Sequence, residues 1–169
     1  MKILSIRDNF QCVVLDNINS EELEIYFQGR KIHYQDPKNK EVEHNREQIL
    51  NAMKIEGADY FSLNFEDVSQ AHFILYDADK IIGSAELWYD DNIAQFSSGH
   101  VSSEYWGNHL SDLLYEAREA FISKGTTCKK LSLKIRPDNI ASQKAAVRNG
   151  FMQTNLTSEN KWEFEKKLG

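Results

Sequence analysis

The feature that most constrains this chain is an amphipathic helix set between two strand-like runs. Leu110, Leu113, Leu114, Ala117 and Phe121 recur at helical spacing, and Gly125 is expected to end that helix at its C-cap. Ile93 to Val101 reads as a strand before it, and Leu131, Leu133 and Ile135 alternate as a strand after it. A strand, a long helix and a second strand in so short a stretch require a right-handed crossover that leaves the two strands parallel. Just upstream, His72 to Tyr76 and Ile81 to Trp88 flank an Asp77-Ala-Asp79-Lys80 turn and read as a hairpin. Adding the strand from Ile93 makes an antiparallel meander. The sheet is therefore mixed, and the fold class is mixed α/β.

The flanks complete the pattern. Residues 3 to 15 carry apolar residues around Asp8-Asn9 and read as one interrupted strand or a hairpin. Asn19 and Glu22 suit a capping box for a helix through Tyr26 and Phe27, which Gly29 is expected to stop. Polar residues 30 to 45, with Pro37 among them, then read as a loop. Ile49, Leu50 and Met53 mark a helix from Arg46 to Lys54 that ends before Gly57. Near the C-terminus, Pro137-Asp138-Asn139 starts a helix capped by Asp138 or Asn139, and Gly150 closes it before Phe151. Ser158-Glu159-Asn160 turns a terminal hairpin. The expected total is about six or seven strands and about four helices.

At 169 residues the chain suits one domain with a real core. Its 20 Lys and Arg against 26 Asp and Glu give a net charge of -6, which argues against nucleic acid or an anionic membrane as primary partner. No apolar run approaches the roughly 20 residues of a membrane span, and Met1 to Ser5 lacks a continued secretory h-region. The cytoplasm is the expected compartment. Cys12 and Cys128 lack metal-ligand spacing and read as reduced core thiols.

Two polar loops fall at one sheet edge. Val101-Ser-Ser-Glu-Tyr-Trp-Gly-Asn-His-Leu-Ser111 joins the third meander strand to the long helix. A helix N-terminus offers unpaired N–H groups and the positive end of a dipole, so an unobstructed turn there can hold a phosphate. Gly107 either clears that turn or merely permits a tight bend. Arg136 to Phe151, with Asn139 leading its helix, follows the parallel partner strand. Open sheets bind ligands beyond the carboxyl ends of such strands.

At these residues the sequence resembles the GNAT superfamily of acetyl-CoA-dependent N-acyltransferases. The likeness rests on the Val-ended strand, the Glu-Tyr turn and the Gly-containing helix opening at Val101 to Ser111, and on the spacing of Asn139, Gly150 and Phe151. It covers about residues 72 to 166. Tyr105-Trp106-Gly107 is similar to the branch that acetylates ribosomal-protein N-termini. Trp106 stands at the family's Arg/Gln, His109 at its central Gly and Ser111 at its final Gly/Ala, so the loop is bulkier than the family pattern. A side chain at a position that needs positive φ is costly.

The resemblance implies a single GNAT-like domain over residues 1–169, with 1–71 as the acceptor-side half and 72–169 as the acetyl-CoA-binding half. It implies acetyl-CoA as co-substrate and no metal. Cofactor contacts would come from Val101, Trp106, Gly107, Asn108, His109, Leu110 and Ser111, with Asn139 and Ser142 at the pantetheine arm or its thioester end. With no Lys or Arg from Val101 to Leu114, charge support would fall to Lys144, Arg148 or a protonated His109.

Transfer to an amine needs a base for the ammonium proton and an acid for the departing thiolate. The family's usual base positions fall near Gln95 and Ser97. The remaining candidates are Glu86, otherwise a solvent-facing strand carboxylate, and His100, otherwise a structural imidazole. Simple alternation puts His100 on the face opposite Gln95 unless a bulge resets the parity. The family's acid Tyr maps to Ala146, which leaves Tyr115, Ser142 or water.

The acceptor, an amine on a small molecule or a protein N-terminus, would meet residues 20 to 60. Glu21, Glu22, Glu24, Glu41 and Glu43 make that region acidic, or simply solvate it, and Tyr26, Phe27, Tyr34, Tyr60 and Phe61 line a groove or fill the core. A monomer and a homodimer are equally compatible. Two other readings stay open: a catalytically degenerate GNAT-like domain that binds acyl-CoA or a protein, and an unrelated α/β binding domain whose central parallel strands do not diverge.

Overall fold

The computed structural model describes residues 1–15, 20–56 and 69–169. Its elements are β1 (Lys2–Arg7), β2 (Phe10–Val14), α1 (Ser20–Gln35), α2 (Arg46–Glu56), β3 (Gln70–Asp77), β4 (Lys80–Tyr89), β5 (Ala94–Val101), α3 (Ser111–Gly125), β6 (Lys130–Ile135), α4 (Ile140–Arg148), β7 (Met152–Leu156) and β8 (Trp162–Lys167). The strands form one sheet in the order β1-β2-β3-β4-β5-β6-β8-β7. All pairings are antiparallel except β5 with β6. This is the mixed sheet with a parallel crossover that the helix between two strands requires. The described strands number eight rather than six or seven, because the opening segment folds back at Asp8-Asn9 into two full strands.

Strand alternation sends neighbouring side chains to opposite faces. Phe73 and Leu75 join α3 residues Leu113, Leu114 and Ile122 in the main core, while Ile74 between them packs with Tyr26 and Phe27 of α1. Helices α1 and α3 therefore sandwich the sheet. No described helix is long and apolar enough to cross a membrane. Cys12 and Cys128 are both buried, and neither forms a disulfide.

Two glycines act differently from expectation. Gly29 does not stop α1, which continues to Gln35, so the loop begins only at Asp36. Gly29 is instead a point of close approach. A Cβ there would lie 2.7 Å from Ile74 Cδ1 and 3.0 Å from Ser84 Cβ, and Ser84 Oγ donates to its carbonyl at 2.9 Å. At the end of α3 the C-cap is Thr126, whose N–H returns to Ile122 O, and Gly125 is the last helical residue without a left-handed φ. Gly150 does close α4 as expected, at φ +90°. Asn19, the side chain of Met53, Gly57, Tyr60 and Phe61 lie outside what the structure describes.

Candidate active site

The parallel pair is short. Strand β5 meets β6 only through Ala94, Gln95 and Phe96, opposite Leu131, Ser132 and Leu133, and the two strands then part. An open notch is left at their carboxyl ends, which rules against the reading with undiverged strands.

One wall of the notch leads into the turn before α3. Gly107 has φ +95° and His109 φ +55°, so His109 takes a left-handed backbone and bears the strain of a side chain there. The His109 ring is exposed and does not plug the turn. Among the described residues, the N–H groups of Gly107, Asn108, His109, Leu110 and Ser111 donate to no protein acceptor. Five unspent donors at a helix start make an anion cradle.

The surrounding charges are partly spent. Arg148 grips Asp112 of the first turn of α3 at 2.7 Å. Burial would raise the Asp112 carboxyl, but hydrogen bonds from Arg148 and Asn149 outweigh it and hold it below the usual carboxylate range. Lys144 is exposed on α4. At the strand end, Trp106 Nε1 donates to Val101 O at 2.8 Å, so the carbonyl best placed to pair an added strand is already engaged. Asn139 caps α4 by accepting from Ser142 N–H at 3.2 Å, and its amide donates to Glu41 Oε1 at 2.9 Å.

On the α1 face, a bulge resets the parity of β5. Ser97 pairs with Glu86 and His100 with Ser84, so two residues of β5, Ser98 and Gly99, face one of β4, and Ser98 has φ +51°. Gln95, Ser97 and His100 thus share a face with Glu86 and His72. The structure brings together all three residues singled out for catalysis, Glu86, Ser97 and His100.

Glu86 is not a solvent-facing carboxylate. Arg30 Nε lies 3.3 Å away and His72 Nδ1 3.8 Å away. Ser97 Oγ is buried with no hydrogen-bond partner among the described residues. His100 Nε2 stands 2.8 Å from Asp36 Oδ2, which also accepts Ser103 N–H at 2.8 Å. Burial lowers the His100 imidazole, and Asp36 only partly offsets this, so the ring is neutral near pH 7. The ionised Asp36 accepts from Nε2–H, which leaves the lone pair on Nδ1. The His33 ring lies edge-on to His100 at 5.7 Å.

Sequence reasoning missed Arg30, His33, Asp36 and the buried Arg118 of α3. The first three lie in or just after the stretch of α1 beyond Gly29 that reads as loop. Arg118, four residues after Leu114, falls on the apolar stripe of α3, and that spacing is the signal that could have found it.

With this geometry in place, comparison with known proteins is decisive. The acetyltransferase (GNAT) family model matches residues 29–151. The chain belongs to the GNAT acetyltransferase family. Comparison with curated proteins gave no match. An acetyltransferase from Streptococcus agalactiae superposes with TM-score 0.64 at 16% identity, over 96% of this chain and 100% of that one. Campylobacter jejuni N-acetyltransferase PseH, in complex with acetyl coenzyme A, gives TM-score 0.57 at 17% identity over 95% and 99%. RimL, a ribosomal-protein alpha-N-acetyltransferase in complex with coenzyme A, gives 0.63 at 11% identity over 99% and 98%. At such identities these likenesses show the GNAT fold of the chain.

Proposed function

We propose that this GNAT chain moves an acetyl group from acetyl-CoA directly to an amine, on a small molecule or a protein N-terminus, with residues 72–169 as the cofactor half and 1–71 as the acceptor half. One observation carries the reading: five unspent amides at the start of α3 lie at the mouth of a parallel pair that opens after Phe96. The amides of Gly107 to Ser111 would seat the diphosphate. Main-chain groups at Val101 would pair the pantetheine arm once the Trp106 indole releases its carbonyl. Asn139 and Ser142 would border the arm from the start of α4.

When bound, the cofactor supplies an activated acyl carbon. The chain has to hold the amine and take its proton. Glu86 and Ser97, side by side across β4 and β5, form the polar floor on the acceptor face. The neutral His100 accepts the proton at Nδ1, and Asp36 stabilises the imidazolium that results. Tyr105-Trp106-Gly107 and the RimL likeness both make a protein N-terminal amine the first acceptor to try. Isothermal titration with acetyl-CoA tests the core of the reading, and no binding up to millimolar cofactor overturns it.

The engaged Val101 carbonyl and the Ala146 at the acid position favour a second reading, a domain that binds acyl-CoA or a protein without chemistry. Release of free CoA thiol with any amine in an acceptor screen eliminates it.

A further inference from the structure

Among the described residues, Arg118 is a buried cation without a counter-charge. It is 3% exposed. Its Nε donates to Leu114 O at 3.0 Å, and its guanidinium lies over the Phe96 ring at 4.3 Å and the Tyr115 ring at 5.1 Å. No carboxylate pairs with it among the described residues. The ionisable groups that face it are Tyr115 on α3 and Cys12 on β2. Burial raises both, the thiol to about 12, so neither is anionic near neutral pH. Burying an unpaired charge is expensive, and a fold rarely keeps one without a use.

The position of the cation suggests that use. Phe96 is the last β5 residue paired to β6, and a Cβ on Gly99 would lie 3.2 Å from Arg118 Nη2. The guanidinium therefore sits directly beneath the β5 bulge, at the vertex of the notch. Arg30 and Glu86 occupy the opposite face and neutralise each other at 3.3 Å. The net positive charge at the vertex comes from below, from Arg118.

Resting on the acyl-transfer reading above, we infer that Arg118 is the cation that stabilises the departing CoA thiolate, in place of a proton-donating acid. The amine lone pair forms the N–C bond. The C–S bond breaks with its electron pair on sulfur. The proton of the amine passes to His100, and the thiolate leaves beside the guanidinium and takes its proton later from water. This accounts for Ala146 at the position where the family places its Tyr acid. Arg118 acts on the sulfur by its field.

The test is titration of the CoA thiol in its binary complex with the whole chain, followed by thiolate absorbance. The reference is the thiol of free CoA titrated in the same buffer. In the wild-type complex the thiol is expected about one unit lower, which corresponds to roughly tenfold tighter binding of thiolate than of thiol. Arg118→Lys should keep most of that shift, and Arg118→Met should abolish it while leaving affinity for acetyl-CoA, which has no thiol, within about twofold. A wild-type thiol that titrates at or above the free value overturns the inference, as does an unchanged shift in Arg118→Met. If Arg118→Met does not fold, the wild-type and Arg118→Lys titrations decide. Failure of CoA to bind at all removes the acyl-transfer reading, whereas binding with an unshifted thiol removes only the role of Arg118.

Discussion

A single oxygen, Asp36 Oδ2, holds both the His100 imidazole and the Ser103 amide, each at 2.8 Å, so the loop after α1 and the turn after β5 are pinned to one atom. Burial would raise the Asp36 carboxyl, but the hydrogen bonds from His100, Lys38 N–H and Ser103 N–H outweigh it and keep the group ionised. Asp36→Asn preserves the shape but removes the charge. It is expected to lower kcat about 10²-fold or more, the usual contribution of a positioned base, and to cost roughly 1–3 kcal/mol of stability. Steady-state kinetics and urea unfolding check the two effects separately. Intact kcat would remove His100 as the base.

Three buried imidazoles set an acid limit on the fold. Burial lowers His33 well below its ordinary value, His72 to about 4, and His100 less steeply. Each is held neutral in the folded state and takes up a proton more readily when unfolded. Their stabilisation is complete above the unfolded value near ~6.5 and is lost as pH falls toward the folded values. For His72 alone the loss by about pH 4 is about 3 kcal/mol. Thermal melts should therefore be flat between about pH 7 and about pH 8, short of the alkaline range in which the buried Cys12 thiol favours the unfolded chain, and fall steadily below about pH 6.5. A Tm unchanged down to pH near ~4 would contradict the burial of these rings.

His109 bears a φ of +55° that glycine adopts without cost. The left-handed backbone costs an ordinary residue roughly 1–2 kcal/mol, and part of that is offset because glycine makes the unfolded chain more flexible. His109→Gly is expected to hold or raise Tm and to retain CoA binding, because glycine adopts the same backbone without strain and the five amides keep their places. His109→Val, branched at Cβ, should lower both. A calorimetric titration of each variant with CoA reads the cradle directly.

How much of this was legible in the sequence depends on whether the physics was local. The crossover followed from five apolar residues at helical spacing, and Asn139 and Gly150 announced both ends of α4. The bulge was not legible, because Ser98 carries no mark of a left-handed backbone, yet it alone moves His100 onto the face of Ser97 and Glu86. Gly29 misled for a related reason. Its value lies in how near Ile74 and Ser84 come to it, a tertiary fact that outweighs glycine's weak helix propensity. The pairing of Asp36 with His100 spans 64 residues, and no local pattern encodes it.

The last prediction concerns Glu86 and Arg30, whose side chains are both largely buried and stand 3.3 Å apart. Arg30 also reaches Tyr34 Oη at 3.1 Å and the bulge carbonyl of Ser98 at 3.5 Å, so it ties α1 to the strand that carries Ser97 and His100. Removing one member of a buried pair strands the other charge and typically costs about 3–5 kcal/mol, whereas replacing both can be close to neutral. Glu86→Gln alone and Arg30→Met alone should each destabilise strongly, and the double variant should recover most of that loss. Activity should follow a different course. If Glu86 helps to hold the amine, the double variant regains its fold but not its KM for the acceptor, because the anion facing the substrate is still missing. Chemical denaturation of the four proteins gives the coupling energy, and acceptor KM measured on the same four gives the functional term. A double variant that recovers both would make the pair purely structural and leave His100 and Ser97 to handle the acceptor.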